Sequence, residues 1–302
     1  MAEKKACFLI PVYPPHYHFL EFLNDINENE LRFDIILIIS TYEDKRLLLE
    51  TSYKKIYKVI CIEEYISAAF MATLNRNIIT FKKFYGLLWL VEKSPIQYDY
   101  VAVVDVEINF VNIKNVPEKF QTFIDRKQLL GGSINPENPY QHTMLSIIKI
   151  VNNVVKGFFK EEDLEILKHK TKDFNLYLWF SDIPIYDMQV VPQFLKYINF
   201  SFSNYSYFAT TSEFAFDYII YAFYLLLKEG YTPIDMRDYG IQRQMSLEAA
   251  PFSTYLNVIE KINYEPLWVI GNTYREHKDY FEKSSIIMTY HANSPYSYTF
   301  GE

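Results

Sequence analysis

The chain reads as an α/β protein built on a mainly parallel central sheet flanked by helices. Three observations predict it. The runs "ACFLIPVY", "FDIILIIS" and "YVAVVDVEINFV" are short and largely apolar, as strands covered on both faces are. Segments of helical period lie between them. The resulting βαβαβ rhythm is the pattern of a parallel sheet with crossover helices.

Taken in order, "ACFLIPVY" is a first strand, ended by Pro14 and Pro15. In "YHFLEFLNDINEN", Phe19, Phe22, Leu23 and Ile26 share one helical face. "FDIILIIS" is a second strand, "DKRLLLETSY" a helix and "KVICIEEYI" a third strand. "FKKFYGLLWLVEKS" is a helix stopped by Pro95, and "YVAVVDVEINFV" follows as a further strand. The remainder is more irregular and helix-rich. "VPEKFQTFIDRKQ", "MLSIIKIVNNVVKGFF" and "KEEDLEILKHKTKDF" carry helical patterns, and "LLGGSINPENPY" is a Gly/Pro/Asn loop. "SEFAFDYIIYAFYLLLKEG" is a helix ended by Gly230. No repeat or Ser/Gly-rich linker divides the chain, so residues 1–302 are read as one domain with halves 1–115 and 116–302.

Composition narrows the function classes. The chain has 302 residues, half of them hydrophobic, which suffices for one large core. A net charge of -7 with scattered Lys and Arg argues against a nucleic-acid polymer as partner, while a small anionic ligand needs only a few local cations. Cys7 and Cys61 sit in apolar strand-like runs and are expected to be buried free thiols, which fits a reducing, cytoplasmic compartment. The apolar run near the N-terminus is too short for a signal peptide. "YIIYAFYLLL" falls short of the roughly 20 residues of a membrane span, so no transmembrane segment is expected. The 27 Tyr and 24 Phe leave a carbohydrate face, or contact with the inner face of a membrane, open.

The chemistry concentrates in "YVAVVDVEINFV". In an extended strand Asp105 and Glu107 point to the same side. Buried without a partner they would repel each other and lose hydration. A divalent cation, Mg²⁺ or Mn²⁺, relieves both, taking carboxylate oxygens together with those of a substrate phosphate. The alternative is that the strand ends by Val104 and both acids lie on an exposed turn. Lys82 and Lys83 are consecutive and so diverge on a helix, leaving one free to face a diphosphate. His16 and His18 follow two prolines in what reads as a surface loop. Glu213 and Asp217 stand at i and i+4 on one helix face, behind Thr211 or Ser212 as cap, and are candidate acid–base groups. Asp182 and Asp187, set among aromatic residues, are candidate acceptor-binding groups.

These segments resemble GT-A fold glycosyltransferases. "YDYVAVVDVEINFV" is similar to that family's apolar strand and Asp-any-Asp metal motif, here in the variant form Asp105-Val106-Glu107. "CFLIPVYPPHYHFLEFLNDI" is similar to its opening strand, and "FKKFYGLLWLVEKSPIQYDYVAVVD" to its helix before the motif. "SIIMTYHANSPYSY" resembles the late segment that returns a His to the metal. The resemblance implies donor contacts from Pro11, Val12, Tyr13, Lys83, Asp105 and Val106. It implies metal ligands in Asp105, Glu107 and His291, and an acceptor base at Glu213. It covers the first half well, whereas from about Val116 to Gly271 only the order of elements agrees.

The expectation is a metal-dependent transfer from a nucleoside-diphosphate sugar, UDP-linked by preference, to a glycan or glycoconjugate acceptor, of the kind found in polysaccharide biosynthesis. A nucleotidyltransferase is the first rival, but the turn "IPVYPPHYHF" lacks the Gly-rich phosphate loop such an enzyme carries. A non-catalytic nucleotide-sugar or glycan-binding module is the second, kept open by the variant Glu107.

Overall fold

The chain was analysed as a computed structural model that describes residues 4–20, 32–50, 57–74, 77–132, 156–174, 176, 178, 184–210, 217–240 and 252–290. Ala6–Pro11 (β1) runs into a 3-10 segment over Pro14–Leu20. Phe33–Ile39 (β2), Tyr42–Glu50 (α1), Tyr57–Cys61 (β3) and Ala68–Thr73 (α2) follow. Ile78–Glu92 (α3) leads to Tyr100–Val103 (β4) and Ile108–Phe110 (β5). Val116–Asp125 (α4), Gln128–Gly131 (β6), Glu161–Lys170 (α5), Ile185–Asp187 (β7) and Val191–Tyr197 (α6) come next. Tyr207–Thr210 (α7), Asp217–Lys228 (α8), Thr232–Asp235 (β8) and Phe252–Ile262 (α9) precede Trp268–Ile270 (β9), Gly271–Glu276 (α10), Lys278–Phe281 (α11) and Met288–Tyr290 (β10).

The central sheet has the order β3-β2-β1-β4-β7. β1 is parallel to β2 and β4, β2 is parallel to β3, and only β7 runs antiparallel, against β4. The fold is therefore α/β with a mainly parallel sheet, as the apolar runs predict. Of two smaller sheets, β5-β10-β9 joins the end of the first half to the second, and β6-β8 lies within the second. β7, contributed by that half, completes the main sheet.

Alternation along the strands splits the core into two layers. Cys7 and Leu9 of β1, Ile36 and Ile38 of β2, and Val101 and Val103 of β4 face a layer built from α3, α6 and α8. Phe8 and Ile10, Ile35 and Leu37, and Ala102 face the other, with Phe120 of α4, Val258 of α9 and Met288 of β10. Each of the Val, Leu, Ile, Phe and Met side chains among them, fully buried, contributes about 1.5–3 kcal/mol. Helix α3 lies close on the sheet because Gly86 faces it: a Cβ there would stand 2.4 Å from Ile38 Cδ1 and 2.6 Å from Leu9 Cδ2. Both cysteines are buried and free.

Several expected boundaries move. "YVAVVDVEINFV" is not one strand: it breaks after Val103 and resumes at Ile108. "KVICIEEYI" ends as a strand at Cys61 and tightens into a 3-10 turn over Ile62–Glu64, which turns the two glutamates out of the sheet. The expected helix "YHFLEFLNDINEN" is a 3-10 segment as far as Leu20, and its remainder lies outside the described residues. So do most of "LLGGSINPENPY" and "MLSIIKIVNNVVKGFF".

Candidate functional site

The order β3-β2-β1-β4 builds the sheet outward from β1 in both directions. The connections that leave the C-terminal ends of these neighbouring parallel strands β1 and β4 meet at one edge of the sheet, where open α/β sheets hold ligands. A cleft of about 230 Å³ lies there. The end of β1 supplies Pro11, Tyr13 and His16, and the β4–β5 connection supplies Asp105, Val106 and Glu107. Lys82 and Lys83 enter from α3 and Asp217 from the start of α8.

The two acids reach this cleft from a bend rather than from a strand face. β4 pairs with β1 only as far as Val103, and Asp105 to Glu107 form the connection to β5. The same-side argument from an extended strand is thereby corrected. Both side chains still line one cleft, because the connection wraps its rim.

Lys83 is the hub of the charges. It is 9% exposed, and its Nζ lies 3.2 Å from Asp105 Oδ1 and 3.4 Å from Asp217 Oδ1. Burial works against its charge, but the two carboxylates outweigh it and hold its pKa above the ordinary lysine value. Asp217 is 4% exposed, and its other oxygen, Oδ2, accepts from the Tyr186 hydroxyl at 2.7 Å. That tyrosine is fully buried, and burial followed by the Asp217 charge pushes its pKa well up.

Lys82, one residue earlier on α3, points to a different wall. Its Nζ donates to the Val12 carbonyl at 2.7 Å. Burial pulls its pKa down to about 8, against the smaller opposing influence of Asp44 and Cys61. Beyond Val12, the Tyr13 hydroxyl and His16 Nε2 share a hydrogen bond of 2.6 Å, and their rings sit 4.0 Å apart. Burial lowers the His16 pKa, with Glu107 pulling the other way.

Pro11, Tyr13, Lys83, Asp105, Val106, Glu107 and Asp217 thus line a single cleft. Val12 is fully buried behind it and takes part through its carbonyl. Asp187 is placed elsewhere, a correction to its expected acceptor role: it pairs with Tyr100, at the start of β4, so it sits at the opposite end of the strand. There its Oδ1 accepts from the Gln189 backbone and shapes the turn after β7. Glu213, Asp182 and His291 lie outside the described residues. The chain before His291 is described: Tyr290 pairs with Ile108, the residue after Glu107.

Sequence reasoning assigned His16 to a surface loop and left Lys82 undecided. A signal for the lysines was present. "IITFKKFYGLLWLVE" is apolar nearly all round, and a helix of that kind is buried on every side, so neither lysine on it has a clear route to water.

A divalent ion that takes most of its ligands from phosphate and water needs only one or two protein carboxylates. Asp105 and Glu107, on one rim of the cleft, fit that requirement. Among the described residues no group of three or more His, Cys, Asp or Glu side chains is arranged to hold a metal. The two carboxylates suffice for an ion that arrives with a ligand. Also among the described residues, no helix is long and apolar enough to cross a membrane.

No family model and no curated protein matches the chain. Solved structures similar to it include glycosyltransferases. Mouse xyloside xylosyltransferase 1, in its apo form, is 8% identical with a TM-score of 0.34, over 78% of this chain and 86% of that one. Core-mannan synthase A from Aspergillus fumigatus, in a Mn/GDP form, is 17% identical with a TM-score of 0.35, over 78% and 74%. The mannosyltransferase Ktr4p from S. cerevisiae is 12% identical with a TM-score of 0.29, over 65% and 60%.

Proposed function

We propose that the chain transfers a sugar from a nucleoside-diphosphate sugar, with UDP-linked donors the first choice, to a hydroxyl of a glycan or glycoconjugate. One observation carries the reading: the turn with Asp105 and Glu107, buried Lys83, and the Pro11–Tyr13 segment meet in one cleft at the switch point of a parallel sheet. Such a cleft suits a ligand with a flat base at one end and a diphosphate at the other.

In this reading Tyr13 and Pro11 receive the base. Asp105 and Glu107, with His291 as the further expected ligand, would hold Mn²⁺ or Mg²⁺. When bound, the ion supplies positive charge to the departing diphosphate. Lys83 adds a second, permanently placed cation, already desolvated and aimed into the cleft. Asp217, with both oxygens engaged by Lys83 and Tyr186, anchors that cation and offers a buried acceptor toward donor hydroxyls. The base that deprotonates the acceptor hydroxyl is assigned to Glu213, four residues before Asp217 in the chain.

A panel of nucleotides and nucleotide-sugars with Mn²⁺, read by thermal shift, tests this. A donor that binds only the folded chain raises the melting midpoint. Asp105→Ala is expected to keep the fold and lose the metal-dependent part of that rise. A flat panel, or an unchanged metal and nucleotide response in Asp105→Ala, rejects the reading.

A further inference from the structure

Lys82 stands apart from the charge cluster built on Lys83. It is only 3% exposed, and its ammonium hydrogen-bonds to a neutral backbone oxygen rather than to a carboxylate. Keeping an ammonium group in such a place costs stability, and burial indeed pulls its pKa down to about 8. A methionine of similar length would fill the same space without that cost. Yet the bond Lys82 makes is well aimed. Val12 donates its N–H to the Ile38 carbonyl at 2.9 Å, so β1 is held as far as its nitrogen, and the Lys82 ammonium then fixes its carbonyl. The next residues, Tyr13 and His16, form a cleft wall through their own 2.6 Å hydrogen bond.

We infer that Lys82 is a positioning residue: by holding the Val12 carbonyl it sets the Tyr13–His16 wall in the orientation that receives the nucleotide. The effect on nucleotide affinity rests on the proposed function, whereas the effect on the wall does not. The groups around Lys82 are Asp44 on α1, Cys61 at the end of β3, and Tyr17 beside both. The other titratable groups that line the cleft are Tyr13, His16, Lys83, Asp105, Glu107, Asp217 and Tyr218. Between pH 7.5 and 9.5 neither wall residue changes charge, since burial lowers His16 below the usual histidine value and raises Tyr13 above 10.0. A change in the wall over that range therefore reports Lys82. A charge-assisted hydrogen bond is roughly twice as strong as a neutral one, so loss of the proton loosens the carbonyl without freeing it.

The test compares the full chain with Lys82→Met, which removes charge and donor, and Lys82→Arg, which keeps both. Without ligand, the His16 ring signals are followed by NMR from pH 7.5 to 9.5. The wild-type signals are expected to shift with a midpoint near pH 8. Those of Lys82→Met should lie beyond the wild type's high-pH position, in the same direction, and be flat with pH. Affinity for UDP with Mg²⁺ is expected to fall about tenfold in Lys82→Met and by a smaller factor in the wild type across the same pH range, while Lys82→Arg shows no such fall. The melting midpoint of Lys82→Met should equal or exceed that of the wild type. His16 signals that ignore both pH and Lys82→Met overturn the inference, and so does a lowered midpoint of Lys82→Met with nucleotide affinity unchanged. If no nucleotide binds the wild type while His16 follows Lys82 as described, the nucleotide reading fails and the positioning role stands.

Discussion

Asp217 is a buried carboxylate with two partners, and each can be removed separately. Lys83→Met takes away its cation and leaves an uncompensated charge, which is expected to cost about 3–5 kcal/mol in urea unfolding. Asp217→Asn in the same chain should return a large part of that loss, because the amide needs no counter-ion; two independent, additive losses would deny the coupling. Tyr186→Phe removes one hydrogen bond to a buried oxygen and should cost about 1–3 kcal/mol. The pairing of Lys83 with Asp217 was not legible in the sequence. Local spacing tied Asp217 to Glu213 on its own helix, and nothing in a helical period reports a partner on α3. Asp105 and Glu107 were legible as a pair, because two acids in an apolar run are rare enough to need a reason. Their backbone was not, since apolar residues on both sides of a bend read like one continuous strand.

At the level of elements, α3 joins fold to site. Its Gly86 lets it sit against β1 and β2, and four and three residues earlier Lys82 and Lys83 leave it toward different walls of the cleft. Gly86→Val would drive methyl groups into Ile38 and Leu9 and is expected to cost about 1–3 kcal/mol. The same variant should weaken nucleotide binding, because lifting the helix moves both lysines. Unchanged affinity in a destabilised Gly86→Val chain would separate the packing of α3 from the site. The strands β1, β2 and β4 and helices α1, α3, α4, α5 and α8 were read correctly in kind, since burial on both faces gives strands a run of apolar residues and burial on one face gives helices a stripe. The short strands β6 to β9 escaped notice. Three or four residues cannot establish a period of two, and their pairing is set by distant partners, as when Leu130 meets Ile234.

Across the whole molecule, buried lysines and tyrosines shape stability in alkali. Burial pulls Lys82 and Lys119 down to about 8, so between that pH and 10.5 the unfolded chain binds more protons than the folded one. Stability therefore rises with pH in that window. Burial also raises Tyr98, Tyr186 and Tyr231 above 10.0, so beyond that pH they ionise first in the unfolded chain and stability falls. A maximum in the unfolding midpoint between about pH 9 and 10.5 is the expected outcome, and Lys82→Met should flatten its rising limb; a steady fall from pH 7 onward would contradict both shifts. The composition gave no warning of this, because a net charge of -7 counts ionisable groups without saying which are inside. The central place of β1 has one more consequence. Its partner β4 arrives late: Lys5 and Asp99, which tie the two strands together at their starts, are 94 positions apart. During synthesis at about 5–20 residues per second, β1 can pair with β2 but keeps one apolar edge bare for several seconds. A chain stalled before Tyr100 would present "ACFLIP" as an open sheet edge, the kind of surface to which other nascent chains and chaperones attach.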